Sequence, residues 1–303
     1  MNLAPFAFRL FPRSSFLKVE HSAALLVAVI FAVLLILESV SPLRNRKRPR
    51  ARRFTINLCV SGLALLMGAL VVKPIALGLS TRASARQFGL LHLVELPFAA
   101  RLVAGFLLLD LTFYYWHRAN HALPLLWRFH NVHHIDPDLD VSTSFRFHFG
   151  EVLYSTIFRA AQVSLLGVSP IILTAYEIIF QCGTVFHHSN IRIPIPIERF
   201  LNKVIVTPRM HGIHHSIVED ETNSNYSVVF RWWDFIHGSL RLNIPHTNIT
   251  IGVAAYQAPA DNTFWNLLGL PFRKQREYWR LPDGHLSVRE DTSSTDNKRL
   301  LME

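Results

Sequence analysis

The chain has 303 residues, half of them hydrophobic and only 17% charged, against about 25% charged in an ordinary soluble domain. That deficit argues against a soluble protein, and two cysteines allow neither a disulfide framework nor a thiolate metal site. A net charge of +10 with histidines neutral suits nucleic acid or an anionic membrane surface, and the apolar runs favour the membrane.

Residues 23–40 (AALLVAVIFAVLLILESV) are apolar up to Glu38, close to the roughly 20 residues a helix needs to cross the hydrocarbon core. A signal peptide fits poorly, since mixed residues precede the run and no small-residue cleavage site follows. Next comes RNRKRPRARR at 44–53, with seven Lys or Arg in ten. Between two apolar runs it reads as a cytoplasmic loop under the positive-inside rule, its charges available to anionic headgroups. A second span is predicted over Phe54–Val72, ended by Lys73 and Pro74. A third runs over Pro97–Trp116 and continues into His117 and His121. Residues 151–186 are apolar but interrupted at Gly167-Val168-Ser169-Pro170. They read as a membrane-inserted helical hairpin whose Arg159, Gln162, Glu177 and Gln181 face the protein interior. With 44–53 cytoplasmic, this path brings every histidine from 117 to 215 to the cytoplasmic face. Residues 189–282 read as a cap on the bundle, and 283–303 as a disordered tail. The expected fold is an all-α, multi-pass membrane helical bundle: an anchor and basic loop over 1–53, a membrane domain with its cap over 54–282, then the tail.

Eleven of the 16 histidines fall between 117 and 215. They stand as His117-x3-His121, His130-x2-His133-His134, His187-His188 and His211-x2-His214-His215, with His148 between the second and third groups. Helix positions three and four apart share a face, so each box offers two or three imidazoles to one region. Random placement gives on the order of 0.04 HxxHH matches per chain of this histidine content, and two are far rarer. Isolated His21, His92, His246 and His285 read as ordinary core or surface residues. Eight histidines in three boxes exceed what one structural zinc uses. Arg118 follows His117, so a HExxH protease is excluded. Two metals are the natural count, and neutral imidazole suits iron, copper, zinc or nickel.

HRANH at 117–121, HNVHH at 130–134, FRFH-x2-E at 145–151, HHSN at 187–190, PRMHGIHHS at 208–216 and WWDF at 232–235 together resemble the fatty acid hydroxylase/sterol desaturase superfamily. The resemblance spans roughly residues 54–240. It implies a di-iron centre, O2 as co-substrate, a membrane lipid substrate and hydroxylation or desaturation at a C–H bond. It also implies an external electron donor, a separate ferredoxin, cytochrome or flavoprotein, since no fused redox segment is evident. Carried over by position, the ligands are His117, His121, His130, His133, His134, His188, His211, His214 and His215, with His187 a second ligand or a neighbour in its pair. His148 matches a family histidine of open role, and His237 reads as structural.

Asp110 lies seven residues before His117 on the same helical face. It either hydrogen-bonds a ligand imidazole or pairs with Arg101 or Arg118. Glu151, Asn190 and Asp234 are further candidates to support the ligands, whereas Asn225 in TNSNY suits a turn. Phe106, Tyr114, Tyr115 and Phe180 could wall a lipid channel or simply pack. The competing readings are a desaturase of the other histidine-box family, a metal transporter and a basic nucleic-acid binder. HHSN and PRMHGIHHS speak against the first, the clustering of histidines beyond span ends against the second, and the spans against the third. No nucleic-acid partner is expected. A bacterial inner membrane fits the short chain better than the endoplasmic reticulum.

Overall fold

The computed structural model describes residues 13–246 and 249–289. Among these the regular secondary structure is helical, and the few β-bridges are isolated. Three helical segments are long and apolar enough to cross a membrane: Val19–Val40, Arg50–His92 and Phe98–Ala122. Their outward faces explain the composition. Leu25 and Ile36 on α1 (Arg13–Val40) are 65% and 62% exposed, a surface that water would penalise and lipid does not.

The first two helices form an antiparallel pair marked by charge at both ends. Arg50 Nη2 reaches Glu38 at 3.3 Å at one end, and Lys73 Nζ reaches Glu20 at 2.8 Å at the other. Helix α2 (Arg50–Met67) passes through a π-helical turn, Gly68–Val72, into α3 (Lys73–Ala85). The expected break at Lys73-Pro74 is therefore absent. Pro74 occupies the first turn of α3, just after a widened turn, where its missing N–H and its ring are tolerated.

Helix α4 (Phe98–Ala122) carries the first histidine box, and α5 (Pro124–His134) the second. Between them Leu123 is extended, with φ −97° and ψ 117°, because a following proline disfavours the helical region. The predicted hairpin is α6 (Phe149–Leu166) and α7 (Pro170–His188). It turns at Gly167, whose φ of 71° is left-handed; a Cβ there would lie 2.3 Å from the Phe88 carbonyl oxygen, so only glycine fits. The cap is built of short helices: α8 (Ile195–Leu201), α9 (Pro208–His214), α10 (Glu219–Thr222), α11 (Trp232–Ile236) and α12 (Phe264–Gly269).

Two expectations need correction. The basic stretch is not wholly solvated: Arg44 and Arg53 are buried, and 50–53 already belong to α2. Arg53 is drawn inside by Asp136, Asp138 and Asp140, which compensate the cost of burying its charge. Part of the expected disordered tail is ordered: Ser287 N donates to Trp279 O at 2.8 Å, and Arg289 pairs with Glu221. The rest of that tail, 290–303, lies outside the described residues. Of the two readings given for the aromatics, packing is the one seen: Phe106 and Phe180 both pack on Tyr176 in the α4–α7 core, with centroids 5.2 and 5.6 Å away. Tyr114 is buried against His237. These rings are packing, not a channel wall.

Candidate metal centre

The ends of α4, α5, α7 and α9 converge, and their histidines separate into two sets. His117, His121, His130, His134 and His214 form one; His133, His188, His211 and His215 form the other. Within each set the ligand atoms lie within 4.8 Å of one another. The helical spacing explains the convergence within a box. The split of the second box is set by packing: His130 and His134 fall in one set and His133 in the other, because α5 lies between the neighbouring helices.

Hydrogen bonds decide what these rings offer. His117 Nδ1 lies 2.7 Å from Tyr226 O, His214 Nδ1 2.7 Å from Ser224 O, and His188 Nδ1 2.8 Å from Thr184 O. A carbonyl only accepts, so each Nδ1 carries the proton and each neutral Nε2 presents a lone pair. His130 Nδ1 likewise donates to Glu151 Oε1 at 2.9 Å, leaving its buried Nε2 without a partner. Yet His117 Nε2 and His214 Nε2 face each other at 3.1 Å. Two lone pairs at that distance repel unless a cation lies between or beside them. A proton is disfavoured, because burial and then the neighbouring imidazoles hold His214 well below its ordinary value. The same direction and leading cause apply to His133, His134, His211 and His215. Both ring nitrogens of His121 and His134 are buried without partners. Buried polar atoms are normally satisfied, so this donor set fits two metal ions and fits little else.

The remaining expected residues have distinct places. His187 stands outside both sets; its ring is buried 4.1 Å, centroid to centroid, from His211. His148 is also outside. Its Nδ1 accepts from Gly150 N at 3.0 Å and caps α6, while Nε2 donates to Leu268 O at 3.1 Å. Asp110 touches no histidine and pairs with neither arginine in its carboxylate contacts. It accepts from Phe230 N at 3.1 Å and Trp233 Nε1 at 2.8 Å, tying the cap to α4. Seven residues at 1.5 Å per residue put it about 10 Å from His117 along the axis, too far for the contact considered. Glu151 does reach a ligand, His130. Asn190 bonds both the N–H and the carbonyl of Arg44. Asp234 accepts from Tyr226 N and Ser227 N, and so positions the carbonyl that orients His117. His237 bonds Tyr115 and the Trp233 carbonyl, and Asn225 adopts φ 54°, both structural placements.

Sequence reasoning missed the main-chain acceptors and a buried charge network. Arg146 is fully buried; it donates from Nε to Val132 O at 3.0 Å and from Nη1 to Asn57 Oδ1 at 2.8 Å. Asp136 receives Arg53 at 2.7 Å and Arg146 at 3.4 Å. The network grips the main chain of the second box from behind. The run of Asp at 136, 138 and 140 after HNVHH was the available signal.

Glu151 yields a direct expectation. Glu151→Ala leaves His130 Nδ1 without its acceptor, and supporting partners of this kind are worth about 10–100-fold in metal affinity. Titration with a competing chelator should show one of two metals released that much more readily, the other unchanged.

Residues 102–239 match the family model for fatty acid hydroxylases. The chain is 30% identical over 181 residues to the ornithine lipid hydroxylase of Rhizobium tropici, covering 59% of this chain and 52% of that one. It is 29% identical over 138 residues to the cholesterol 25-hydroxylase of Homo sapiens, 45% and 49% of the two chains. Against the alkylglycerol monooxygenase of Danio rerio it is 28% identical over 151 residues, 49% and 32%. The chain thus spans about half the length, or less, of these relatives. No solved structure matches it.

Proposed function

The chain belongs to the fatty acid hydroxylase/sterol desaturase superfamily through residues 102–239, and from that premise we propose that it is a membrane-bound non-haem di-iron oxidoreductase that hydroxylates a lipid C–H bond with O2. The observation that carries this reading is the pair of buried imidazole sets with lone pairs turned inward. All nine ligands are neutral nitrogen donors, which suits a borderline metal such as ferrous iron. Bound iron supplies the reduction of O2 and the oxidant for C–H cleavage.

The chain's own residues supply position and dryness. Carbonyls of Thr184, Ser224 and Tyr226 fix three ring orientations, and Glu151 fixes a fourth. The ligand rings are buried except His121, which is partly exposed, and burial withholds the water that would quench a reactive oxidant. Electrons come from a separate donor protein. The basic 44–53 segment and the histidines lie at the same end of the bundle, joined through Arg44, Asn190 and Arg53. By the positive-inside rule that end is cytoplasmic. We take 50–289 as the catalytic unit, the helix and basic loop before it as its anchor, and a bacterial inner membrane as its setting.

The test is metal content of detergent-purified protein together with lipid mass spectrometry of expressing cells. Two irons per chain and a lipid heavier by one oxygen support the reading. One zinc, or none, with an unchanged lipid profile sinks it. A product two hydrogens lighter instead makes the enzyme a desaturase.

A further inference from the structure

Beside the histidine centre lie two cavities that no step so far uses. One is an apolar, open-sided groove of about 450 Å³ between α1 and α7. Val29, Ile30, Val33 and Leu34 form one wall; Ile179, Cys182, Gly183 and Phe186, one helical stripe, form the other. The second, of about 410 Å³, has a mixed polar and apolar lining and lies in the cap. Its charged lining is Arg192, Arg199, Arg209 and Glu198, with His246 at its edge. Glu198 is paired with Arg209, and the lining sets three arginines against this one carboxylate.

Three chain segments lead from the first cavity to the second. From Phe186 the chain passes through His187 and His188, where α7 ends, to Arg192. The end of α1 passes from Leu34 to Leu43. The strand-like stretch before α9 passes from Ile205 and Val206 in the groove to Thr207 and Arg209 in the cavity, with His211 next. On α7 the histidines therefore stand between the two, about 8 Å along the axis from Gly183. His187, four residues after Gly183 and on the same face, is the ring between the groove and His211. Above the groove the chain just after α1 is stapled to the chain just after α7 by Leu43 N donating to Asn190 O at 2.7 Å, so the connecting wall is Ile205–Arg209.

Resting on the oxidase reading, we propose that the two cavities seat one amphiphile: a membrane lipid with its acyl chain in the α1–α7 groove and an anionic headgroup on the arginine-lined cavity. The carbons nearest the headgroup then lie level with the histidines, and oxidation falls at that end of the lipid. A groove of this size is within the range that takes small ligands, and arginine is the residue best suited to a carboxylate or phosphate. His187 serves as a positioning residue at the groove's inner end.

Photo-crosslinking tests this without turnover. Purified full-length protein is given phosphatidylglycerol or phosphatidylcholine bearing a mid-chain diazirine, and adducts are mapped by mass spectrometry. Adducts on 29–34 or 179–186, several-fold stronger for phosphatidylglycerol, are expected. Gly183→Phe, and independently Val33→Trp should the first fail to fold, fill the groove and lower the adducts at least about 10-fold with metal content intact. Arg192→Glu with Arg199→Glu abolishes the headgroup preference and leaves phosphatidylcholine adducts unchanged. Adducts spread over all spans, or unaffected by both groove variants, mean annular lipid only and overturn the proposal. Groove adducts in a protein lacking iron would instead leave the seat standing and remove the oxidase reading.

Discussion

His214→Ala should release one of two bound metals and lower lipid oxidation by at least about 100-fold, a floor set by what even supporting residues are worth at metal sites. His214 is central to its set: its ring centroid lies 4.6 Å from His117 and His121 and 4.8 Å from His134. Alanine removes the Nε2 that faces His117 at 3.1 Å and also leaves the Ser224 carbonyl without its donor. The second set keeps its own four rings, so its metal should remain. His133→Ala should do the reverse, emptying the second set and sparing the first. Metal analysis of both variants, alongside elution volume to check folding, separates a lost ligand from a lost fold. If either variant keeps two metals, the division into sets is wrong. If both lose all metal, the two ions bind as one cooperative cluster.

Much of this centre was visible in the order of residues, because its logic is local. Boxes spaced three and four apart need only helical geometry, and each box does fall at a helix end. The assignment of rings to sets was not visible. His133 and His134 are adjacent in sequence and serve different sets, a consequence of how α5 lies against α4, α7 and α9. His188 was read as the ligand and His187 as a second ligand or a neighbour; rotation of one residue about α7 turns His187 out of both sets. Asp110 shows the limit most clearly. Its face was read correctly from a seven-residue spacing, but its partners Phe230 and Trp233 come from more than 100 positions away. Main-chain acceptors such as Tyr226 O have no letter of their own. The spans were legible from composition alone. The helix past Pro74 was not, because a π-turn is a property of packing.

The buried network behind the second box carries the largest expected effect on stability. Asp136 is fully buried between Arg53 and Arg146 and also accepts from Asn57 Nδ2 and Thr143 Oγ1, each at 2.9 Å. Asp136→Ala deletes the shared anion: Arg53 keeps Asp138 and Asp140, but the buried Arg146 loses the carboxylate it pairs with. Breaking a buried pair by removing one partner costs about 3–5 kcal/mol, a large fraction of a marginal stability. Arg146 also holds Val132 O, so loosening it should weaken metal retention at His133 and His134 before the helices melt. Burial pushes the Asp136 carboxyl up, but Arg53, Arg146 and the hydrogen bonds outweigh it and hold it below its ordinary value. A depressed carboxyl stabilises the fold above its unfolded value and loses that stabilisation as pH falls through the folded one. The wild type should therefore lose thermal stability in acid by this route, and Asp136→Ala should start lower and show a shallower acid decline. A variant that melts within a degree or two of the wild type at neutral pH would mean that Arg146 finds another partner. In that case the second box is held by α5 packing alone.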